Sequence, residues 1–366
     1  MTLAELRRYA VARAFRPPTD LLSAIRDLGY LQADPIRAPA RAQDLILRHR
    51  VAGYRADDLE KNYPQLPLIE DMLHNYGFFP DDHRALLYPR SLSLRWRDFI
   101  DEHAALRRRV LRYLLEQEEA HPREIEKRLG TGARVNGWGG TSSATTLMLE
   151  ALHREGRARV ARRDTGIRVY AAAHPRGPAL SPIARADGVI RLIVNLYAPM
   201  PLRSLMRVIS MMGPYKPDVD YSKRIELLVK RGEYRSDAVD GVNYIWPANE
   251  IIPEVITDEV RLLAPFDPLV WDRTRFEHLW GWAYRFEAYT PPAKRKLGYY
   301  ALPILWRDQV IGWANAGMEK GKLIVRTGYA NAKPRGPDAA AFNSSLKDEA
   351  ERLRLFLGSS RAARLY

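Results

Sequence analysis

A chain of 366 residues without a single cysteine excludes disulfides, zinc–thiolate sites and iron–sulfur clusters outright. Its 58 lysines and arginines against 44 acidic residues leave a net charge of +14, which points to a polyanion as partner, whereas the 46% apolar fraction is ordinary for a globular protein. No apolar run approaches the roughly eighteen residues of a membrane span, no signal-peptide core stands at the N-terminus, and the scattered histidines show no metal-ligand spacing; neither a membrane, a metal nor another cofactor is expected.

Thr2-Leu3-Ala4-Glu5 reads as a capping box opening a helix with Leu3, Leu6, Ala10 and Ala14 on one face, ended by Pro17-Pro18. A second helix runs from Thr19 or Asp20 through Leu22, Ile25 and Leu28 to Gly29. Tyr30 to Asp34 then reads as a short strand closed by Pro35, which has no N–H for a ladder. Side chains alternate along a strand, so Tyr30, Gln32 and Asp34 share one side, with Gln32 and Asp34 about 6.5–7 Å apart along the backbone. Leu31 and Ala33 face the core. An amide and a carboxylate held together on a rigid element suit action on a bound group and its attacking water. The competing reading is that Asp34 merely caps the next helix.

That helix opens at Pro39 and carries Ala42, Leu45, Ile46 and His49, with Arg41 and Arg48 on its other face and Arg37 and Arg50 at its flanks. Three short helices and a strand suggest a helix-turn-helix unit, whose arginines are candidate phosphate contacts. Residues 64–119 read as mostly helical. Within them Met72 to Pro80 is rich in aromatics around His74, which is either a core residue or a neighbour of the site. A long helix follows Ser93, with Phe99, Ile100, Leu106, Val110 and Leu114 on one side.

The clearest local architecture comes next. A short helix starts at His121-Pro122, the loop Asn136 to Gly140 follows, and a Ser142-capped helix runs through Leu152 to Gly156. Strands from Arg157 to Arg163 and from Ile167 to Ala171 close a hairpin through Asp164-Thr165-Gly166. Helix, helix, helix, hairpin is a winged helix. Its wing carries Arg157, Arg159, Arg162, Arg163 and Arg168 where a phosphate backbone would pass, while its recognition helix is poor in charge and in Asn or Gln, against sequence-specific reading of the major groove. The plan returns with helices at Pro182–Tyr197, Pro201–Met212 and from Asp220 or Tyr221 to Gly232, then a hairpin of Tyr234–Ala238 and Val242–Trp246, an internal repeat.

From Leu262 the pattern changes to strands: Trp282–Tyr289, Tyr299–Trp306, Val310–Met318 and Leu323–Tyr329. Lys294-Arg295-Lys296 forms a basic connection, a helix with Phe342, Leu346, Ala350, Leu353 and Phe356 closes the unit, and the tail from Ser359 reads as frayed. The expected divisions are 1–90, 91–176, 177–260 and 261–366, an α+β chain, mainly helical, with tandem winged helix-turn-helix motifs and a small C-terminal antiparallel β-barrel or sheet.

Five stretches carry a family resemblance: Leu28 to Pro35 with its following helix, Met72 to Pro80, Gly137 to Tyr170, Ala264 to Arg273, and Pro292 to Tyr300. On these the chain resembles the winged-helix DNA glycosylases of the AlkZ and YcaQ type. The resemblance implies a C-shaped array of winged helices around DNA and hydrolytic excision of N-alkylated purines. It also implies a catalytic signature of Gln, an apolar residue, then Gln or Asp. Gln32-Ala33-Asp34 is the Asp form, similar to the YcaQ branch associated with unhooking interstrand crosslinks. One departure stands out: where that branch is expected to carry a histidine pair, this chain has Gln43-Asp44. The implied partner is double-stranded DNA bearing alkylated or crosslinked purines, met by a monomer in the cytoplasm at the nucleoid. The rival reading is a non-enzymatic winged-helix regulator or architectural protein, which has no need of Gln32 and Asp34.

Overall fold

Glu5 donates its backbone N–H to the Thr2 hydroxyl at 3.2 Å and accepts the Thr2 N–H on its carboxylate at 2.6 Å, so the first helix starts where the capping box places it. A computed structural model describes residues 1–130, 133–135, 141–174, 179–251, 257–330 and 333–366. Helix α1 (Leu3–Ala14) leads to α2 (Leu21–Leu28), which Asp20 caps and Gly29 ends at φ 69°. That left-handed conformation favours glycine and turns the chain directly into β1 (Leu31–Gln32). β1 is shorter than the expected Tyr30–Asp34 strand, although Ala33 still donates its N–H to the Tyr76 carbonyl at 2.9 Å before Pro35 breaks the ladder. Helix α3 (Ala42–Leu47) begins at Ala42 rather than Pro39, and α4 (Asp58–Asn62) follows.

Residues 64–119 are mainly helical only from Asp81 onward. They open with a hairpin of β2 (Leu68–Met72) and β3 (Tyr76–Pro80), and the three-stranded sheet has the order β1-β3-β2. The sheet lies between two cores: Tyr30, Ile69 and Phe79 belong to one, Leu31, Leu68 and Phe78 to the other. Strands buried on both faces lose the apolar–polar alternation that would mark them in sequence. After α5 (Arg84–Leu87), the long helix expected from Ser93 is two helices, α6 (Leu94–Glu102) and α7 (Ala104–Glu116), parted at His103, whose backbone is non-helical.

The next segment keeps the expected order. Helix α8 (Pro122–Leu129), strands β4 (Ala133–Val135) and β5 (Thr141–Ser143), and helix α9 (Ala144–Arg154), capped by Ser143 rather than Ser142, precede the hairpin of β6 (Ala158–Asp164) and β7 (Ile167–Ala172). The loop Asn136 to Gly140 lies outside the described residues. The order recurs in α10 (Pro182–Tyr197), β8 (Met200–Pro201), α11 (Leu202–Met211), α12 (Tyr221–Lys230) and the hairpin β9 (Tyr234–Val239)–β10 (Val242–Pro247).

The C-terminal unit differs from expectation in detail. Strand β11 (Val260–Leu262) enters it, followed by helices α13 (Pro268–Trp271) and α14 (Arg273–Trp280). The expected strand Trp282–Tyr289 is irregular. Its alternating aromatics pack sideways, Trp282 on Trp313 at 6.0 Å and Tyr284 on Phe276 at 5.8 Å, instead of joining a ladder. Strands β12 (Leu302–Trp306), β13 (Gln309–Glu319) and β14 (Lys322–Tyr329) are antiparallel, and α15 (Pro337–Phe356) covers them. The tail is not frayed: β15 (Arg361–Leu365) pairs in parallel with β14. The sheet runs β11-β12-β13-β14-β15 and is curled but open, so among the described residues no barrel closes.

One core joins α1, α10 to α12 and α14; the other joins α2, α3, α7 to α9, the C-terminal sheet and α15. Both draw on residues from the N-terminal and C-terminal units. The strand that carries Gln32 is thereby fixed from both sides. Among the described residues no helix is long and apolar enough to cross a membrane.

Candidate active site

Close strand pairing brings the site together. Gln32 lies opposite Gly77 in the β1–β3 ladder, and a Cβ at Gly77 would stand 2.4 Å from the Leu31 carbonyl oxygen, so only glycine allows this approach. The turn between β2 and β3 supplies Asn75. Its side-chain amide donates to Gln32 Oε1 at 3.3 Å, and its carbonyl accepts the Tyr30 hydroxyl at 3.1 Å. Sequence reasoning missed Asn75, since a turn residue beside His74 carries no signal of its own.

Past Gln32 the chain leaves the sheet, and α3 catches it: the Asp34 N–H donates to Gln43 Oε1 at 3.2 Å. Asp34 Oδ1 accepts the Ile36 N–H at 2.9 Å, closing a local turn. Asp34 therefore does not cap the next helix, whose N-cap position is Arg41. Asp34 is 9% exposed, and among the described residues no arginine or lysine pairs with it. Burial raises its pKa above the ordinary aspartate value, and the Ile36 N–H opposes that only in part. Its charge is also felt at the hydroxyls of Tyr289 and Tyr300, from the loop between α14 and β12.

Asp34 opens on a cavity of about 360 Å³ walled by Gln43, Asp44, Tyr63, Tyr76 and Phe78 on the N-terminal side and by Arg163 and Arg168 from the β6–β7 hairpin. Asp44 is buried and accepts the Tyr54 hydroxyl at 2.7 Å and the Asp57 N–H at 3.2 Å; desolvation pushes its pKa up to about 6. Arg163 donates through Nε to Glu70 at 3.0 Å, and the Arg168 guanidinium lies 4.2 Å over the Tyr76 ring. These two arginines build the cavity wall rather than lie along the outside of a wing. An amide-fixed carboxylate without a counter-cation, on the rim of a cavity, can accept a proton and stabilise positive charge.

The other expected site residues divide. Tyr30 is not beside the carboxylate; it fills the core, 5.5 Å from the His74 ring and 4.9 Å from Phe79, because both faces of β1 are covered. His74 is likewise a core residue, packed 4.4 Å from Trp271 and 3.3 Å from the Tyr197 hydroxyl, and burial lowers its pKa to about 3. The side chains of Arg48 and Arg50 are not on the surface. Arg48 is buried against Glu349, and Arg50, 8% exposed at its side chain, binds the buried Asp267 through two bonds of 2.8 and 3.1 Å. An arginine so committed pins α3 to the C-terminal unit. Arg37 pairs with Asp57 at 3.0 and 3.1 Å, Arg41 with Glu60, and Arg162 with Glu119 at 2.7 Å. Arg157, Arg159, Lys294 and Lys296 are exposed, and Arg295 is half-buried over Tyr299.

Known proteins share both sequence pattern and fold with this chain. The solved structure of the DNA glycosylase AlkZ of Streptomyces sahachiroi matches it with a TM-score of 0.65 over 100% of each chain, at 16% identity, a likeness of fold. A family model described as DNA glycosylase AlkZ-like matches residues 25–356, from within α2 to the end of α15. That match spans the strand, the cavity and the C-terminal sheet from β11 to β14 together, and the chain belongs to the AlkZ-like DNA glycosylase family.

Proposed function

We propose that the chain hydrolyses the N-glycosidic bond of N7-alkylated purines in duplex DNA, interstrand crosslinks included, with Asp34 as catalytic carboxylate and Gln32 as its partner. The observation that carries this reading is the state of Asp34: a carboxylate tied by the Ile36 N–H and by Gln43 through its own backbone, free of any described cation, on the rim of a cavity.

N7-alkylation gives the purine a formal positive charge, so the base leaves without a strong general acid. The N9–C1′ bond breaks with its electron pair passing to the purine, which becomes neutral. Positive charge develops on the sugar, and the Asp34 carboxylate stabilises it. Water adds its oxygen to C1′ and gives its proton to Asp34. Gln32, both donor and acceptor, orients the water or the sugar. No lysine stands among the described residues lining the cavity, which favours hydrolysis over Schiff-base chemistry and strand cleavage.

Two successive helix–helix–helix–hairpin segments on a chain of net charge +14 support tandem winged helices arranged in a C around the duplex. A crosslinked guanine is held by the partner strand and cannot swing fully into a pocket. The enzyme then acts on a base still largely within the helix. The test is a gel assay of excision from N7-methylguanine duplex and from a nitrogen-mustard crosslink, wild type against Asp34→Asn. Loss of both reactions with retained DNA binding is expected. Equal rates for the two proteins would remove Asp34 from the mechanism.

A further inference from the structure

Tyr289 is an aromatic side chain on the loop between α14 and β12, and it is 80% exposed. A lone exposed aromatic is unremarkable by itself. This one, however, has a built seat. The Phe286 ring, 5.1 Å from Phe266 and 5.2 Å from Tyr300, meets the Tyr289 ring edge-on at 6.1 Å. The loop itself is tied down by Glu287, whose carboxylate accepts the N–H groups of Lys296, Leu297 and Gly298 at 2.8, 2.7 and 3.2 Å. Arg295 adds a bond through Nε to the Thr290 carbonyl at 2.8 Å. A ring is thus pre-positioned in solvent on a fixed loop, so it can meet a ligand without an ordering cost.

Its surroundings say what it would meet. Phe286 and Tyr300, which seat the ring, pack in the same core as Leu31 of β1 and the flanking Ala33 and Ile36 that bracket Asp34, and burial followed by the Asp34 charge raises the pKa of the Tyr289 hydroxyl. Lys294 and Lys296 on the same loop are exposed cations, suited to the phosphates that flank a nucleotide at Asp34. Between an acid that acts on a sugar and cations that hold phosphates, the remaining chemistry of a nucleic acid is the face of a base. Every base offers such a face, which a tyrosine ring can stack on regardless of sequence.

We propose that Tyr289 inserts beside the damaged nucleotide and stacks on an adjacent base, taking up the stacking that the duplex loses when the lesion is separated from its neighbours. This rests on the reading of Asp34 as the centre of a glycosylase site. A residue of this kind solves the difficulty posed by a crosslink: the neighbours are pried apart where the lesion cannot be swung out.

The experiment uses the full chain and duplexes that require no excision. Wild type, Tyr289→Ala and Tyr289→Phe are compared for affinity to an intact duplex and to one carrying a tetrahydrofuran abasic analogue, with 2-aminopurine beside the analogue as reporter of stacking. Wild type and Tyr289→Phe should prefer the analogue duplex and quench the 2-aminopurine. Tyr289→Ala should lose roughly tenfold of that preference, together with the quench. Preference and quench unchanged in Tyr289→Ala would overturn the proposal. So would a Tyr289→Phe variant as impaired as Tyr289→Ala, since the hydroxyl rather than the ring face would then be responsible. Because binding is read without bond cleavage, an inactive wild type that still needs the ring for this preference refutes the glycosylase reading alone. Normal excision with no dependence of preference on Tyr289 refutes the stacking alone.

Discussion

The backbone N–H of Asp34 donates to Oε1 of Gln43 at 3.2 Å, joining the end of β1 to the first turn of α3 across the rim of the cavity. Gln43 thereby fixes where the Asp34 carboxylate points without touching it. Gln43→Ala leaves a buried N–H without its partner, a loss of about 1–3 kcal/mol. Single-turnover excision should fall roughly tenfold while DNA affinity stays the same. Gln43→His, which returns the residue type expected from the family resemblance, offers a ring nitrogen as acceptor and should recover part of that loss. Full activity in Gln43→Ala would mean that the strand end needs no such tie.

Gln32 and Asn75 form the second relationship, the Asn75 amide donating to Gln32 Oε1 at 3.3 Å. Gln32→Ala should cost less than the ~10²–10⁴-fold expected of removing the Asp34 charge, because water can replace an amide donor in part. Asn75→Ala should imitate Gln32→Ala, since it frees the amide to turn. The Gln32→Ala/Asp34→Asn double variant should lose less than the sum of the single losses if both act on one water. Strict additivity would separate their roles.

Much of this framework is legible in sequence because its signals are local. Thr2 and Glu5, Gly29, Pro35, and the Asp164–Gly166 and Asp240–Gly241 turns each act within a few residues, and each stands where the pattern places it. The misreadings are tertiary. Leu68 to Met72 and Tyr76 to Pro80 form a sheet buried on both faces, so period-2 alternation never appears. Trp282 to Tyr289 alternates like a strand, yet Trp282 is bound by β13 and Tyr284 by α14. Arg48 and Arg50 resemble the exposed cations around them, and only their partners Glu349 and Asp267, more than two hundred residues away, make them interior. The Gln32 and Asp34 pairing was legible as a motif; its supports Asn75 and Gln43 depend on contacts that spacing does not reveal.

Asp44 should govern part of the pH dependence of stability. Burial pushes its pKa up to about 6, against the Tyr54 hydroxyl bond, the Asp57 N–H and the Arg41 charge that hold it down in part, and with the Asp57 charge adding to the rise. The native chain then holds this proton to a higher pH than the unfolded chain, where aspartate titrates near ~3.9. Between about pH 4 and pH 6 the native state binds more protons, so this group's contribution falls as pH rises and is fully lost above the native pKa. The contribution is at most about 3 kcal/mol. Asp44→Asn keeps an oxygen for Tyr54 and Asp57 but removes the titration. Urea unfolding at pH 5 and pH 8 should show a smaller decrease for the variant than for wild type. An identical decrease would assign the pH dependence elsewhere. Excision should follow a different limb, rising with pH as Asp34 ionises above the ordinary aspartate range.

Arginines on this chain should fall into two experimental classes despite their common charge. Arg50 is buried against Asp267, and Arg50→Ala leaves that carboxylate uncompensated in the interior, a loss of about 3–5 kcal/mol. Its thermal midpoint should drop by several degrees, and whatever folds should keep the wild-type salt dependence of DNA binding. Arg157 and Arg159, exposed at the start of the β6–β7 hairpin, have among the described residues no comparable partner to abandon. Substituting either with alanine should leave the midpoint unchanged. If each neutralises one phosphate, the slope of log affinity against log salt should become shallower by roughly 0.9 per residue, the value for one counterion released from duplex DNA. The two measurements cross-check each other, since a destabilised protein lowers the active fraction at every salt concentration without changing the slope. A shallower slope in Arg50→Ala, or an unchanged one in the Arg157→Ala/Arg159→Ala double variant, would contradict this division and put the DNA on the other face of the hairpin.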